Sequence, residues 1–430
     1  MKQRLRPPGR GLAAPLTALV TALSLTLTAC GTGSASGDDT LTVWIMEGTN
    51  PDADPFFDEV AAAFTERTGA RLDVQYVPWP DAHDKFTKAM AGGTTPDVAE
   101  VGTTWTPEFA DAGALADLTP FSEAAGLGED MVPALRTAGT YDGKLYGVPW
   151  YAGVRALLYR ADVFAEHGLS APASWEELRE TAEVLKREEP GMLPFPVPGD
   201  SEYTLDAFVW GAGGDLATRE DGRWTSAISQ PDAVRGVEFY TSLATEHGTS
   251  AKAATTWDEA DLVAAIGSGK VAMAVAGSWT PATLLADHPE LAGKLAAAPL
   301  PGPDGGLSPS FLGGSHLSVF NTATDPELAW EFVELMSSED YARKWAEQSG
   351  YFPGRTSLVE RVAHQKDPLV APFARQLAEA GRTVPATPAY GEIQGKKTLA
   401  RMVQAILSGK QSVQEATRRA AADMDESFGH

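Results

Sequence analysis

Aromatic and hydrogen-bonding side chains recur together just beyond the apolar runs of this chain, and that pairing has a chemistry. A ring covers an apolar C–H face, while a carboxylate, amide or guanidinium fork takes up polar groups around a rim. Glu47 follows the apolar run Leu41-Thr-Val-Trp-Ile-Met46. Thr103, Thr104 and Trp105 follow the run that ends at Val101. Trp279 follows Lys270–Ala276 after Gly277, where a missing side chain permits close approach. Gly313, Gly314 and His316 lie along a further apolar run, and Tyr351 and Arg355 in a later turn. Tyr203 and Asp206 precede Gly213-Gly214; Trp210 between them suits a core equally well. Tyr151 and Arg155 stand in an apolar stretch, where an arginine needs a partner, either a ligand or a buried acid. Trp79, Trp150 and Trp224 are further loop candidates, whereas Trp175, Trp330 and Trp345 have the spacing of structural residues in helices.

Other chemistries lack their residues. The seven histidines are scattered, and Cys30 is the only cysteine, so no metal site of ordinary spacing and no internal disulfide is expected. No phosphate-binding Gly-rich loop and no Gly-x-Ser-x-Gly elbow occurs. Hydrolysis of a glycosidic bond needs two acids about 5–10 Å apart across the bond; acids are plentiful, but no such pair is recognisable. No catalysis and no cofactor is expected.

The elements that must position the candidates alternate. Leu41–Met46, Leu72–Tyr76 and Asp97–Val101 read as strands. Asp54-Pro55 opens a helix carrying Phe57, Val60 and Phe64, and Ala82–Met90 is a second helix. Gly143–Pro149 reads as a turn with a short strand, and Val154–Tyr159 as another strand. Ser174-Trp-Glu-Glu177 is a capping box. From Asp325 onward the chain is mainly helical. Strands alternating with helices imply an α/β fold with mostly parallel sheets.

The ends of the chain add an address. Lys2, Arg4, Arg6 and Arg10 precede an apolar stretch from Leu12 to Leu27, the pattern of a secretory signal peptide over 1–29. Leu27-Thr-Ala-Cys30 resembles the lipobox of bacterial lipoproteins, which implies a lipidated Cys30 on a flexible tether over 30–40. The 34 basic and 58 acidic residues become 30 against 58 once the signal is removed, a net charge of −28. Such a surface repels nucleic acid and disfavours polyanions.

Several stretches together resemble the maltose-binding type of extracellular solute-binding protein. They are Thr95-Pro-Asp-Val98 with Ala110–Leu118, Gly143–Pro149 with Leu158–Phe164, Gly269–Trp279, Gly313–Val319 and Gly350–Arg355. The resemblance implies a two-lobe, type II periplasmic-binding-protein-like fold with ligand between the lobes. Lobe one is then 41–152 plus 312–356, and lobe two 153–311 plus 357–430. It implies a disaccharide or short oligosaccharide as ligand, with chitobiose-binding relatives suggested by Val98–Gly102 and Tyr151–Arg155; a polyamine, peptide or small anion is the alternative. It also implies two permease subunits and a cytoplasmic ATPase as partners, and a monomer. Thr103–Trp105 fall on the family's ligand loop, where a carboxylate is common. Gln394 falls on an aromatic position, for which Tyr390 is the candidate replacement. Cys30→Ser is expected to abolish lipid attachment; intact-mass measurement of membrane-extracted protein showing an unmodified Cys30 in the parent would refute the anchor.

Overall fold

The computed structural model describes residues 40–50, 53–363 and 367–429. The signal region, Cys30 and the tether as far as residue 39 lie outside the described residues, and Thr40, expected in the tether, opens the first strand. Among the described residues no helix is long and apolar enough to cross a membrane.

β1 (Thr40–Met46) is buried along most of its length and takes the middle of a parallel trio with β2 (Arg71–Val77) and β3 (Val98–Gly102). Helix Ala53–Thr68 covers the trio with Phe56, Phe57, Val60 and Phe64. It starts slightly before the expected Asp54-Pro55 cap and puts Asp54 in its first turn. A hairpin of β4 (Thr140–Tyr141) and β5 (Lys144–Leu145) leads into β6 (Val148–Arg160). The expected turn and short strand are the Gly143 turn and β5, while the strand expected over Val154–Tyr159 begins earlier, at Val148, and runs for 13 residues. Pro149 is tolerated because it lies near the strand's start. β7 (Ala217–Glu220) and β8 (Arg223–Ser226) pair only with each other. β9 (Met273–Gly277), β10 (Leu295–Ala298), β11 (Ser310–Val319), β12 (Phe352–Pro353) and β13 (Gly381–Arg382) complete the strands.

The main sheet runs β10-β6-β11-β3-β1-β2, with β9 and β12 also on β6 and β13 on β11. The parallel expectation holds for β2–β1–β3 and for β11–β13. Every strand paired with β6 is antiparallel to it, as is β3 to β11. β6 and β11 carry the chain out and back between the two halves of the molecule, so they run in opposite directions. The first part of β6 pairs with β11 and β12; from Arg155 it pairs with β9 and then β10.

Each half has its own core. Leu41, Val43, Phe57, Trp330 and Trp345 pack at the β1 end, and Leu157, Trp175, Phe208, Tyr240 and Met424 at the other. Trp150, a loop candidate by sequence, lies in β6 and packs on Trp345.

Glu100 ties four strands together. It is fully buried in β3, accepts from the Met46 amide at 2.8 Å and the Ser315 hydroxyl at 2.8 Å, and accepts from the Tyr151 hydroxyl. Burial pushes its pKa from 4.5 up to about 7, against the three donors that favour the carboxylate. The native state therefore holds this proton more tightly than the unfolded chain. The stabilisation is fully present below pH 4.5, shrinks as pH rises from 4.5 to 7, and is lost above it. Relative to Glu100→Gln, the parent should lose up to about 3 kcal/mol over that window, read by urea unfolding. A difference between the two that does not change with pH would contradict this account of Glu100.

Candidate functional site

The strands place a strip of small residues between two aromatic groups. Gly102 of β3 pairs with Ser315 of β11, which pairs with Tyr151 of β6; Gly314 faces Ala152, and Gly313 faces Gly153. The Thr103 amide donates to the Gly314 carbonyl at 3.1 Å. Gly314 has φ 152°, and a Cβ there would collide with the Tyr151 carbonyl.

On one side of this floor, just past β3, Trp105 lies with its ring 5.6 Å from that of Trp79. Both rings crowd the space where a side chain on Gly102 would stand. The Trp79 indole donates to the Thr49 hydroxyl at 3.3 Å. On the other side Trp279, just past β9, stacks on Tyr351 with centroids 4.6 Å apart and planes 9° from parallel. Gly153 must lack a side chain because a Cβ would come within 2.8 Å of Trp279 and 2.9 Å of Tyr351.

Arg155 is buried among aromatic rings. Its guanidinium lies 4.5 Å from the Tyr203 centroid and 5.1 Å from those of Trp279 and Phe311. Its Nε and Nη2 both donate to Glu259 Oε1, at 2.8 and 2.6 Å. Tyr203 stacks on Phe311 at 4.0 Å. The Gln394 amide donates to the Tyr203 hydroxyl at 2.7 Å and to the Glu202 carboxylate. Burial, partly offset by Gln394, pushes the Glu202 pKa up to about 7. Half-buried rings beside fixed donors and acceptors, over a floor that includes Gly102, Gly153, Gly313 and Gly314, can hold a flat polar molecule from both sides.

The family model for bacterial extracellular solute-binding proteins matches residues 48–343. The chain belongs to this family. The diacetylchitobiose binding protein DasA of Streptomyces coelicolor is 27% identical over 405 residues, covering 91% of this chain and 93% of that protein. A solute-binding protein of Thermotoga lettingae, solved with α-D-tagatose, superposes with TM-score 0.82 at 28% identity, covering 91% of this chain and all of that one. The GacH receptor of Streptomyces glaucescens, solved unliganded and with acarbose, gives TM-score 0.80 at 26% identity over 91% and 98%. The fold is thus the two-lobe fold of solute-binding proteins.

In this solute-binding protein Trp79 and Trp105 lie together beside Gly102, Gly313 and Gly314 pair with Gly153 and Ala152, Arg155 lies against Tyr203 and Trp279, Tyr351 stacks on Trp279, and Gln394 bonds to Tyr203; Thr103 and Thr104 follow β3. Glu47 is exposed past β1, its amide donating to the Val77 carbonyl. The open question about Arg155 has an answer: it is half of an ion pair with Glu259.

Other candidates need correction. His316 is fully buried, pinned between the Thr106 hydroxyl at 2.7 Å and the Leu135 carbonyl at 2.9 Å, and burial lowers its pKa to about 4. Tyr151 lies beneath the site with its hydroxyl on Glu100 and its ring 4.4 Å from Tyr351. Asp206 is fully buried, without a hydrogen-bond partner, and burial raises its pKa well above the usual range. Trp210 and Tyr390 are core residues of the second lobe, so Tyr390 is no replacement platform. Arg355 turns away to Asp130 at 2.7 Å. Gly277 leaves room for the Trp279 ring itself rather than for a ligand, since a Cβ there would overlap Cε2, Cζ2 and Cη2 of that ring.

Phe311, Glu202 and Glu259 were missed. Phe311 had a signal, an aromatic two residues before Gly313-Gly314; Glu259, 104 residues from Arg155, had none. Gly277→Ala is expected to displace the Trp279 ring and to cost about 1–3 kcal/mol, as overpacking does, measured by urea unfolding. Unchanged stability would mean that the ring moves aside freely.

Proposed function

We propose that this protein is the substrate-binding component of a carbohydrate ABC importer and captures a disaccharide or short oligosaccharide by closing its lobes. The observation that carries the reading is the pair of aromatic walls, Trp79–Trp105 and Trp279–Tyr351, facing a glycine floor. Ring faces suit the C–H faces of a pyranose, and Thr103, Thr104, Glu202 and Gln394 suit its hydroxyls. The lobes divide within β6 near residues 152 and 153 and again at the start of β11. Ligand that touches both lobes favours the closed state and shifts the population towards it. The chain would deliver its ligand to two permease subunits served by a cytoplasmic ATPase, from a lipid anchor at Cys30 on the outer face of the cytoplasmic membrane. A monosaccharide is the second reading, supported by the tagatose-bound relative.

Calorimetry with N,N′-diacetylchitobiose, trehalose, maltose, cellobiose, xylobiose and tagatose tests both readings. Tight binding of a disaccharide supports the first, and of tagatose alone the second; binding of none rejects the sugar class. Trp279→Ala should weaken the best ligand by about 2 kcal/mol or more, roughly 30-fold, with little change in melting temperature. Near-normal affinity with a sharply lowered melting temperature would make Trp279 a core residue, worth about 3–5 kcal/mol of stability.

A further inference from the structure

The lobes also meet at the rim of the cleft, away from the aromatic walls. Helix Thr106–Asp111 packs against helix Pro388–Gly395. The cores place the two helices in different lobes: Phe109 packs with Trp44, Val77 and Phe86, whereas Tyr390 and Ile393 pack with Phe208, Leu399 and Met402.

The contact face of the second helix is made of Gly391 and Gly395, four residues apart and so one above the other. A Cβ on Gly391 would overlap the Glu108 carboxylate, whose Cδ would lie 3.0 Å from it. A Cβ on Gly395 would stand 3.6 Å from the His83 ring. His83 Nε2 and Glu108 Oε2 are 2.9 Å apart, and the His83 ring meets Trp105 edge-on at 5.4 Å. Glu108 thus rests on the first turns of the opposing helix, near the positive end of its dipole. Glycine weakens a helix interior; here it removes the side chains that would keep the lobes apart. The same helix carries Gln394, which donates to Tyr203 and Glu202 in the ligand wall.

We propose that Glu108 and His83 are positioning residues of a rim latch, which holds the lobes shut through the glycine face of helix Pro388–Gly395 without touching the solute. The proposal rests on the two-lobe solute-binding fold and not on which solute is bound.

Gly391→Ala wedges a methyl group into the contact. Small-angle X-ray scattering of the full chain with saturating N,N′-diacetylchitobiose, or maltose, where the parent's lobes are shut, should show a larger radius of gyration than the parent. Glu108→Ala releases the latch without adding volume and should also expand the chain. In Gly391→Ala/Glu108→Ala the wedge has lost its obstacle, so the radius should match that of Glu108→Ala alone. The dissociation rate of N,N′-diacetylchitobiose, or of maltose, should rise about tenfold or more in Gly391→Ala, which is about 1.4 kcal/mol. The melting temperature without solute should stay near that of the parent. An unchanged radius in Gly391→Ala overturns the proposal, as does a fall in melting temperature without expansion. Should Gly391→Ala fail to fold, the radius of Glu108→Ala decides: expansion supports the latch and no expansion overturns it. If neither sugar binds, scattering without solute judges the latch by the same comparison, and the sugar reading alone fails.

Discussion

The two lobes hang on strands they share, and the hydrogen bonds of β6 and β11 govern the rest of the structure. Where β6 and β11 run between the two aromatic pairs, most of their paired residues are small. Ala152, Gly153, Gly313 and Gly314 are those residues. The larger groups are pushed to the flanks, where Trp105 and Trp279 stand just past the ends of β3 and β9. The cleft is therefore a consequence of the crossing rather than a pocket cut into a finished fold.

Charge in the second lobe follows from the same crowding. Taking a guanidinium out of water is costly unless it is paired and bonded. Arg155 has its acid in Glu259 and ring faces on its other sides. With that partner in place, the guanidinium also packs against Tyr203, Trp279 and Phe311. Asp206 and Glu202 sit nearby with raised pKa values, so burial moves this wall towards neutrality. A wall of that kind suits hydroxyl groups better than formal anions.

Much of the fold was legible because local signals and burial agreed. The capping serine Ser174 accepts from the Glu177 amide, and the helix Trp175–Glu188 follows it. The apolar runs before Glu47, Thr103 and Trp279 became strands ending within two residues of expectation. The start of β6 at Val148, ahead of the expected Val154, was not legible, because Pro149 and Gly153 locally mimic breaks. Partial exposure was legible where position past a strand end decides it, as for Trp105 and Trp279. It was illegible where facing decides. His316 lies next to a register shift between Ser315 and His316, and its ring turns inward to Thr106. Tyr151 shares a strand face with Gly153, yet its hydroxyl reaches Glu100 and its ring is buried against Tyr351, while Ala152 turns into the opposite core. Arg155 announced a need for a partner, but its acid lies on a distant helix that chain order does not bring near.

The shared strand also limits how this molecule can evolve. Side chains alternate along β6, and both of its faces are buried from Val148 to Leu158. Inserting or deleting one residue within it would exchange the two faces downstream, and the side chains fitted to one core would then meet the other. In an ordinary loop such a length change costs little. Lineages carrying this crossing can therefore explore new ligands by exchanging residues on the flanking walls or lengthening loops, while the thirteen positions of β6 keep their number.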